Sequence, residues 1–172
     1  MPVILQEIYN QVKKIKKDKL QGRRPIDALI DTLKEEIFFW SSARDSEGHI
    51  TSLFFTHPLV IKLLHGFPHV ILMDCTYQTN KYKIPLFHIV GFSSTNEIFY
   101  GDFCLMKNET EPLYKWALNQ DIGQVLNNTN LVPPPVIVID RDMAFKNSLK
   151  KLFQDSKVML CILNINKDVS AH

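Results

Sequence analysis

The sequence predicts a mixed α/β domain, in which three antiparallel strands are followed by parallel strands that alternate with helices. Two apolar runs, 70–73 and 136–139, each lead directly into an aspartate, and such runs are typical of strands buried on both faces of a sheet. Short polar turns divide residues 70–106 into three strand-like segments, which indicates an antiparallel meander. A long crossover through a helix then allows the fourth strand to lie parallel to the first and beside it.

A helical and hairpin-like region is predicted ahead of this sheet, so that we divide the chain into residues 1–66 and a sheet core, 67–172. Apolar residues at helical spacing and the first-turn Pro25 support the two helices. The expected elements are a helix over 4–20, a helix from Pro25, a turn at 45–48, a strand over 50–55 and a short helix over 58–64.

The core elements follow from turn residues and from helical spacing. Thr110 and Pro112 are suited to the start of a helix, and Phe145 and Leu149 share one face of a later helix. We expect strands over 70–77, 85–93, 98–106, 136–139 and 158–163, and helices over about 110–126 and 142–153.

Composition sets broad limits on the class of protein. A chain of 172 residues with 45% hydrophobic and 22% charged residues is typical of one soluble domain that buries roughly 70% of its unfolded surface. Since no segment resembles a membrane span or a signal peptide, we expect an intracellular protein. The three cysteines, Cys75, Cys104 and Cys161, lack paired spacing, which predicts reduced thiols and neither disulfides nor a structural zinc site.

Basic residues are concentrated near the amino terminus, although the net charge of the chain is only +2. Within residues 13–24 they are opposed only by Asp18. Such a run can neutralise DNA phosphates, yet it is also typical of the solvated face of an ordinary helix. The candidate nucleic-acid-binding residues are Lys13, Lys14, Lys16, Lys17, Lys19, Arg23 and Arg24.

Asp74 and Asp140 are the candidate metal ligands, because each directly follows an apolar strand run. In open α/β sheets, ligands and cations bind at the carboxyl ends of the strands, and carboxylate oxygens suit hard divalent cations. The alternative is purely structural, since aspartate often ends a strand, and Asp140 or Asp142 could cap the next helix.

Four sequence blocks, in this order and at these spacings, resemble the transposase domain of Mutator-like elements, which is related to plant far-red-response factors. They are MDCTYQTNKYKIPLFHIVGFSSTNEIF, NETEPLYKWAL, VIVIDRDMAF and LCILNINKDV. The resemblance extends over nearly the whole chain, and its most specific part is the segment that begins with Asp74 and Cys75.

The resemblance implies a ribonuclease H-like fold with an Asp-Asp-Glu triad, in which Asp74 is the first acid and Asp140 the second. It implies Mg²⁺ or Mn²⁺ as cofactor and cleavage and joining of DNA strands at transposon ends, where two metal ions stabilise the attacking and leaving oxygens. Asp142 is then expected to cap a helix or to support the metal ligands without binding the ion itself. The resemblance further implies DNA as the partner, allows a homo-oligomer, and suggests a nuclear location.

Two departures from the family make an incomplete enzyme the expectation. The family's glutamate lies downstream of a helical insertion, and no residue up to His172 takes that place, so the fold is predicted to be truncated after the fifth strand of the core. Asn164 stands where the family usually has a histidine. Two alternatives stay open: a non-catalytic DNA-binding or interaction module derived from a transposase, or a fragment without independent function.

Overall fold

The computed structural model describes residues 20, 22–76, 80, 82–125 and 133–161, with the side chains of 121–125 excepted. The chain divides into two compact units, residues 1–37 and 38–172. Nearly all of the helix predicted over residues 4–20 lies outside the described residues. None of the described helices is long and apolar enough to cross a membrane.

The first unit contains the helix that the sequence predicted from Pro25, here α1 (Pro25–Glu35). Proline fits the first turn of a helix because its missing N–H is not needed there. Ile30 and Leu33 are buried, while Lys34 in the last turn complements the helix dipole. The helix ends where the Glu36 N–H donates to the Thr32 carbonyl.

The second unit is built on a seven-stranded sheet with the order β1-β2-β5-β4-β3-β6-β7. β1 through β5 pair antiparallel, whereas β6 pairs parallel with both β3 and β7. This arrangement confirms the predicted mixed sheet. The strands are β1 (Phe39–Arg44), β2 (Ile50–Thr56), β3 (Val70–Thr76), β4 (Leu86–Phe92), β5 (Ile98–Met106), β6 (Val136–Ile139) and β7 (Lys157–Leu160).

Three helices of the second unit, α2 (Pro58–Gly66), α3 (Glu111–Val125) and α4 (Met143–Leu152), contribute to a core on one face of the sheet. The ring of Phe87 on β4 makes edge contacts with Tyr114 of α3 and Phe145 of α4, at centroid distances of 5.9 and 5.3 Å. All three rings are almost completely buried. These aromatic contacts fix the two helices against the strands that carry the candidate site.

The prediction that the aspartate strands are buried on both faces is wrong for the described residues. On β3 the side chains alternate, so that Ile71 and Met73 are buried while Val70 is 37% exposed. β6 alternates in the same way. The physical reason is that α3 and α4 pack on a single face. The opposite face is partly exposed at β3 and β6, and we call it the open face.

Sequence reasoning missed β1 and grouped the 50–55 strand with the helical region. The hairpin of β1 and β2 is joined to the main sheet, because β2 pairs with β5 through Phe55 opposite Phe103. The turn between its strands was predicted, and Asp45 closes it by accepting hydrogen bonds from the backbone N–H groups of Glu47 and His49. β1 has no clear period-two alternation of apolar and polar residues, which is why its strand signal is weak.

Candidate metal centre

Asp74 and Asp140 lie side by side at the carboxyl edge of the sheet. β3 and β6 are parallel, and Met73 is the register partner of Ile139, so the two aspartates are the next residues along each strand. Because Met73 and Ile139 are buried in the helix-covered core, alternation turns both aspartates toward the open face. Both are half-buried. The structure thus brings together the two acids that the sequence singled out.

The electrostatics of Asp140 reflect this proximity. Burial is the main cause that raises the pKa of its carboxyl group, and the negative charges of Asp74, Asp142 and Glu109 raise it further. A hydrogen bond of 3.3 Å from the Asp142 N–H to Asp140 Oδ1 acts in the opposite direction. Two carboxylates that repel each other at a half-buried edge form a donor set that suits a hard divalent cation.

Asp142 caps α4, as the sequence predicted. Its side chain accepts a hydrogen bond of 2.6 Å from the Phe145 N–H, which is the usual role of an aspartate at the residue before the first helical turn. The cap fixes the short segment between β6 and α4, and its backbone N–H orients Asp140. Asp142 therefore acts on the site through Asp140.

Glu109 lies close to the pair, although sequence reasoning gave it no role. β5 runs in the same direction as β3, so Glu109, three residues beyond the end of β5, reaches the same edge of the sheet. Its carboxylate contacts the buried thiol of Cys75, the neighbour of Asp74. Burial and, after it, this carboxylate raise the pKa of the Cys75 thiol. Strand direction was the sequence signal that could have placed Glu109 at this edge.

The described residues do not complete a metal site by themselves. Within these ranges, no three His, Cys, Asp or Glu side chains are grouped so that they could hold a metal ion. Asn164 and the rest of the segment after Cys161 lie outside the described residues. Two carboxylates, supported by Asp142, are therefore what this part of the chain offers to a cation.

His88 is a further neighbour that spacing along the chain did not reveal. It is the register partner of Asp74 across β4, and it lies on the open face. Its Nδ1 atom is buried and has no hydrogen-bond partner among the residues that the structure describes. The ring of Tyr100 lies beside it, with centroids 6.4 Å apart.

The basic run is only partly within the described residues. Arg23 donates to Asp31 at 2.9 Å, and Arg24 forms a two-pronged pair with Asp27 at 2.7 and 2.9 Å. These two guanidinium groups thus already have carboxylate partners on α1, at exposed positions where ion pairs are weak. The five lysines of the run, residues 13–19, lie outside the described residues. The nucleic-acid-binding role of the run stays a prediction.

The match to a family model agrees with the resemblance. The family model "MULE transposase domain" matches residues 70–168, which is more than half of the chain. A PKS-NRPS hybrid synthetase cheA of Chaetomium globosum is 27% identical over 95% of this chain and 4% of its own length. The protein FAR1-RELATED SEQUENCE 5 of Arabidopsis thaliana is 22% identical over 92% of this chain and 20% of its own length. The chain thus spans a fifth or less of the length of these curated relatives.

Among solved structures, the HTLV-2 integrase catalytic core domain in complex with magnesium (dimeric form) matches with a TM-score of 0.34 and 19% identity. The match covers 58% of this chain and 65% of that one. The antiparallel β5-β4-β3 strands with β6 and β7 added in parallel form the ribonuclease H-like arrangement that the resemblance implied. By the extent of the family match, the chain belongs to the MULE transposase domain family.

Proposed function

We propose that this domain, by descent a transposase core, binds a divalent cation, Mg²⁺ or Mn²⁺, through Asp74 and Asp140 and presents a DNA phosphodiester to it. The observation that carries the proposal is the placement of the two carboxylates, one residue beyond the Met73–Ile139 register pair. The pKa of Asp140, raised mainly by burial and further by acids that include Asp74, supports it, because a bound cation would offset the cost of a buried negative charge and the repulsion.

Each residue has a distinct role in this proposal. Asp74 and Asp140 hold the cation with carboxylate oxygens, and the Asp142 N–H keeps Asp140 oriented. A divalent cation at such a site supplies Lewis-acid stabilisation of the phosphate oxygens during cleavage and transfer of a DNA strand. Full activity requires a third acid, the family's glutamate. We therefore propose that the part of the chain described here contributes two of the three acids.

Calorimetric titration of the chain with Mg²⁺ and with Mn²⁺ tests the metal site. We expect binding by the wild type and its loss in Asp74→Asn and in Asp140→Asn, since each change removes a charged ligand but keeps the shape of the side chain. Asp155→Asn, which alters an exposed acid after α4, is the control and should bind as the wild type does. Binding that persists in both site variants would refute the proposal.

A second candidate is a non-catalytic DNA-binding module in the nucleus, and the lack of a three-ligand cluster among the described residues favours it. In this case the lysines of residues 13–19 bind backbone phosphates. Replacing Lys13, Lys14, Lys16 and Lys17 together with glutamine should then flatten the salt dependence of DNA affinity, by about 0.9 in logarithmic slope for each phosphate that is no longer neutralised. DNA affinity that does not depend on salt would exclude this candidate. Neither candidate requires a homo-oligomer.

A further inference from the structure

Tyr100 is an exposed aromatic residue on an interior strand. β5 lies between β2 and β4 in the sheet, but its pairing with β2 extends only from Phe103 to Met106. Tyr100 pairs with β4 alone, and its side chain is 63% exposed. An exposed aromatic ring offers a flat apolar face on which another ring can stack.

The strand register connects Tyr100 with the metal centre. Tyr100 pairs with Val90 on β4, and its ring lies beside that of His88, which is the partner of Asp74. Val90 pairs in turn with Leu72, so Tyr100 is two strands across and two residues along from Asp74. With strands about 4.8 Å apart and a rise of about 3.4 Å per residue, this is about 12 Å. A nucleic acid strand whose phosphate lies at Asp74 thus has a neighbouring nucleotide within reach of Tyr100.

The chemistry of the two rings fits a nucleobase. Aromatic side chains on the open face of a sheet stack with unpaired bases, whereas a base inside a continuous duplex does not offer its face. His88 lies between the Tyr100 ring and Asp74, and its buried Nδ1 atom has no hydrogen-bond partner among the described residues.

We infer that Tyr100, backed by His88, stacks on an unpaired base next to the phosphate bound at Asp74 and Asp140. The preferred nucleic acid is therefore a DNA strand with a single-stranded or splayed segment at this position, and not an uninterrupted duplex. This inference depends on the proposed function, because the phosphate at the acid pair sets the position of the base.

The test uses the whole chain with Mg²⁺ at low salt, and it compares a single-stranded oligodeoxynucleotide that carries 2-aminopurine with the matching duplex. We expect tighter binding of the single strand and quenched fluorescence of the stacked base. Tyr100→Ala should weaken single-strand binding about tenfold to a hundredfold and abolish the quenching, while duplex binding hardly changes. Tyr100→Phe keeps the ring and should retain both properties.

Phe39→Ala is the matched control, since Phe39 is also exposed, at 44%, but lies on the edge strand β1, four strands away from β3. It should bind as the wild type does. Equal loss of single-strand and duplex binding in Tyr100→Ala, or no loss in either, would overturn the inference. If Asp74→Asn and Asp140→Asn both still bind Mg²⁺ while the effect of Tyr100→Ala remains, the metal site alone is refuted.

Discussion

Asp140 lies beside Asp74 because each directly follows one member of the Met73–Ile139 register pair on two neighbouring parallel strands. The fold thereby holds two carboxylates against each other at a half-buried edge. Such an arrangement is unfavourable for the empty protein and favourable for a bound cation. The sheet thus carries a cost in stability at the proposed cation site.

Asp140→Asn should stabilise the metal-free protein at neutral pH. The folded pKa of Asp140 is raised above its ordinary value of 3.8, so the folded state binds the proton more tightly than the unfolded chain does. Stability therefore falls as the pH rises from below 3.8 through the raised pKa, and it stays lower at pH 7. Asparagine removes the charge, and its Oδ1 can still accept the hydrogen bond from the Asp142 N–H.

The expected gain is at most about 1 kcal/mol, because the group is partly solvated and screened. Thermal unfolding of both proteins without metal at pH 7 and at pH 3 measures it, and the difference should disappear at the lower pH. Added Mg²⁺ should raise the Tm of the wild type only. A variant less stable than the wild type at pH 7 would contradict the prediction.

Glu111→Gln should weaken the connection between α3 and α4 in a pH-dependent way. Glu111 Oε1 accepts hydrogen bonds from Lys115 at 2.6 Å and Lys151 at 2.8 Å, and these two contacts lower the pKa of Glu111 to about 2. Since its folded pKa is below the ordinary value of 4.5, the stabilisation is present above 4.5 and is lost as the pH falls through about 2.

The Tm of Glu111→Gln should therefore be lower than that of the wild type at pH 7, and the gap should close on acidification toward pH 2. The effect is small, because exposed ion pairs contribute little. Glu97→Gln, a change in the exposed turn between β4 and β5, provides the control and should leave the Tm unchanged. A gap that is independent of pH would mean that Glu111 acts by packing and not by charge.

The central strands and the acid pair were within reach of sequence reasoning because they depend on local and topological rules. The apolar run before Asp74 and the run before Asp140 are unbroken, and the right-handed crossover rule placed the two strands side by side. The cap by Asp142 follows from local chemistry in the same way. Features that follow from a local segment or from a general rule of chain connection can therefore be predicted from the sequence.

Relationships across strands were not within reach. The pairing of His88 with Asp74 depends on register, which spacing along the chain does not give. The direction of β5 could have indicated the edge at which Glu109 lies, but not its contact with Cys75. The exposure of one sheet face likewise depends on which helices cover it. An unbroken apolar run is compatible with a strand that is buried on one face or on both, so the run alone does not distinguish the two cases.

Asp102→Asn should stabilise the protein, because Asp102 is a buried carboxylate without a described partner. It is 1% exposed, and neither of its oxygens accepts a hydrogen bond from any residue within the described ranges. The register of β2 with β5, continued by one residue past Phe55 and Phe103, places it opposite Thr56, whose buried hydroxyl also lacks such a partner. A neutral amide can donate to that hydroxyl oxygen, and it is less costly to bury than a carboxylate.

We expect a gain of about 1 to 3 kcal/mol in the free energy of unfolding at pH 7, measured by urea denaturation. Asp102→Leu tests whether polarity is needed at this position at all, and Asp155→Asn controls for the loss of one negative charge. If Asp102→Asn proves less stable than the wild type, the carboxylate has a stabilising partner, and the explanation by an unpaired buried charge fails.

Gly91→Ala should destabilise the sheet, because Gly91 on β4 leaves room for the ring of Phe99 on β5. A Cβ atom at residue 91 would overlap that ring, which itself packs beside Phe67 with centroids 6.5 Å apart. Forcing extra volume into such a contact typically costs about 1 to 3 kcal/mol. Gly66→Ala is the matched control, since nothing lies within 4 Å of a Cβ there and alanine is the better helix former at the end of α2.

Urea denaturation of Gly91→Ala, Phe99→Ala and the double variant completes a cycle, in which we expect the alanine at residue 91 to cost much less once the ring is removed. An equal cost with and without the ring would show that the glycine is required for its backbone and not for the space that it leaves.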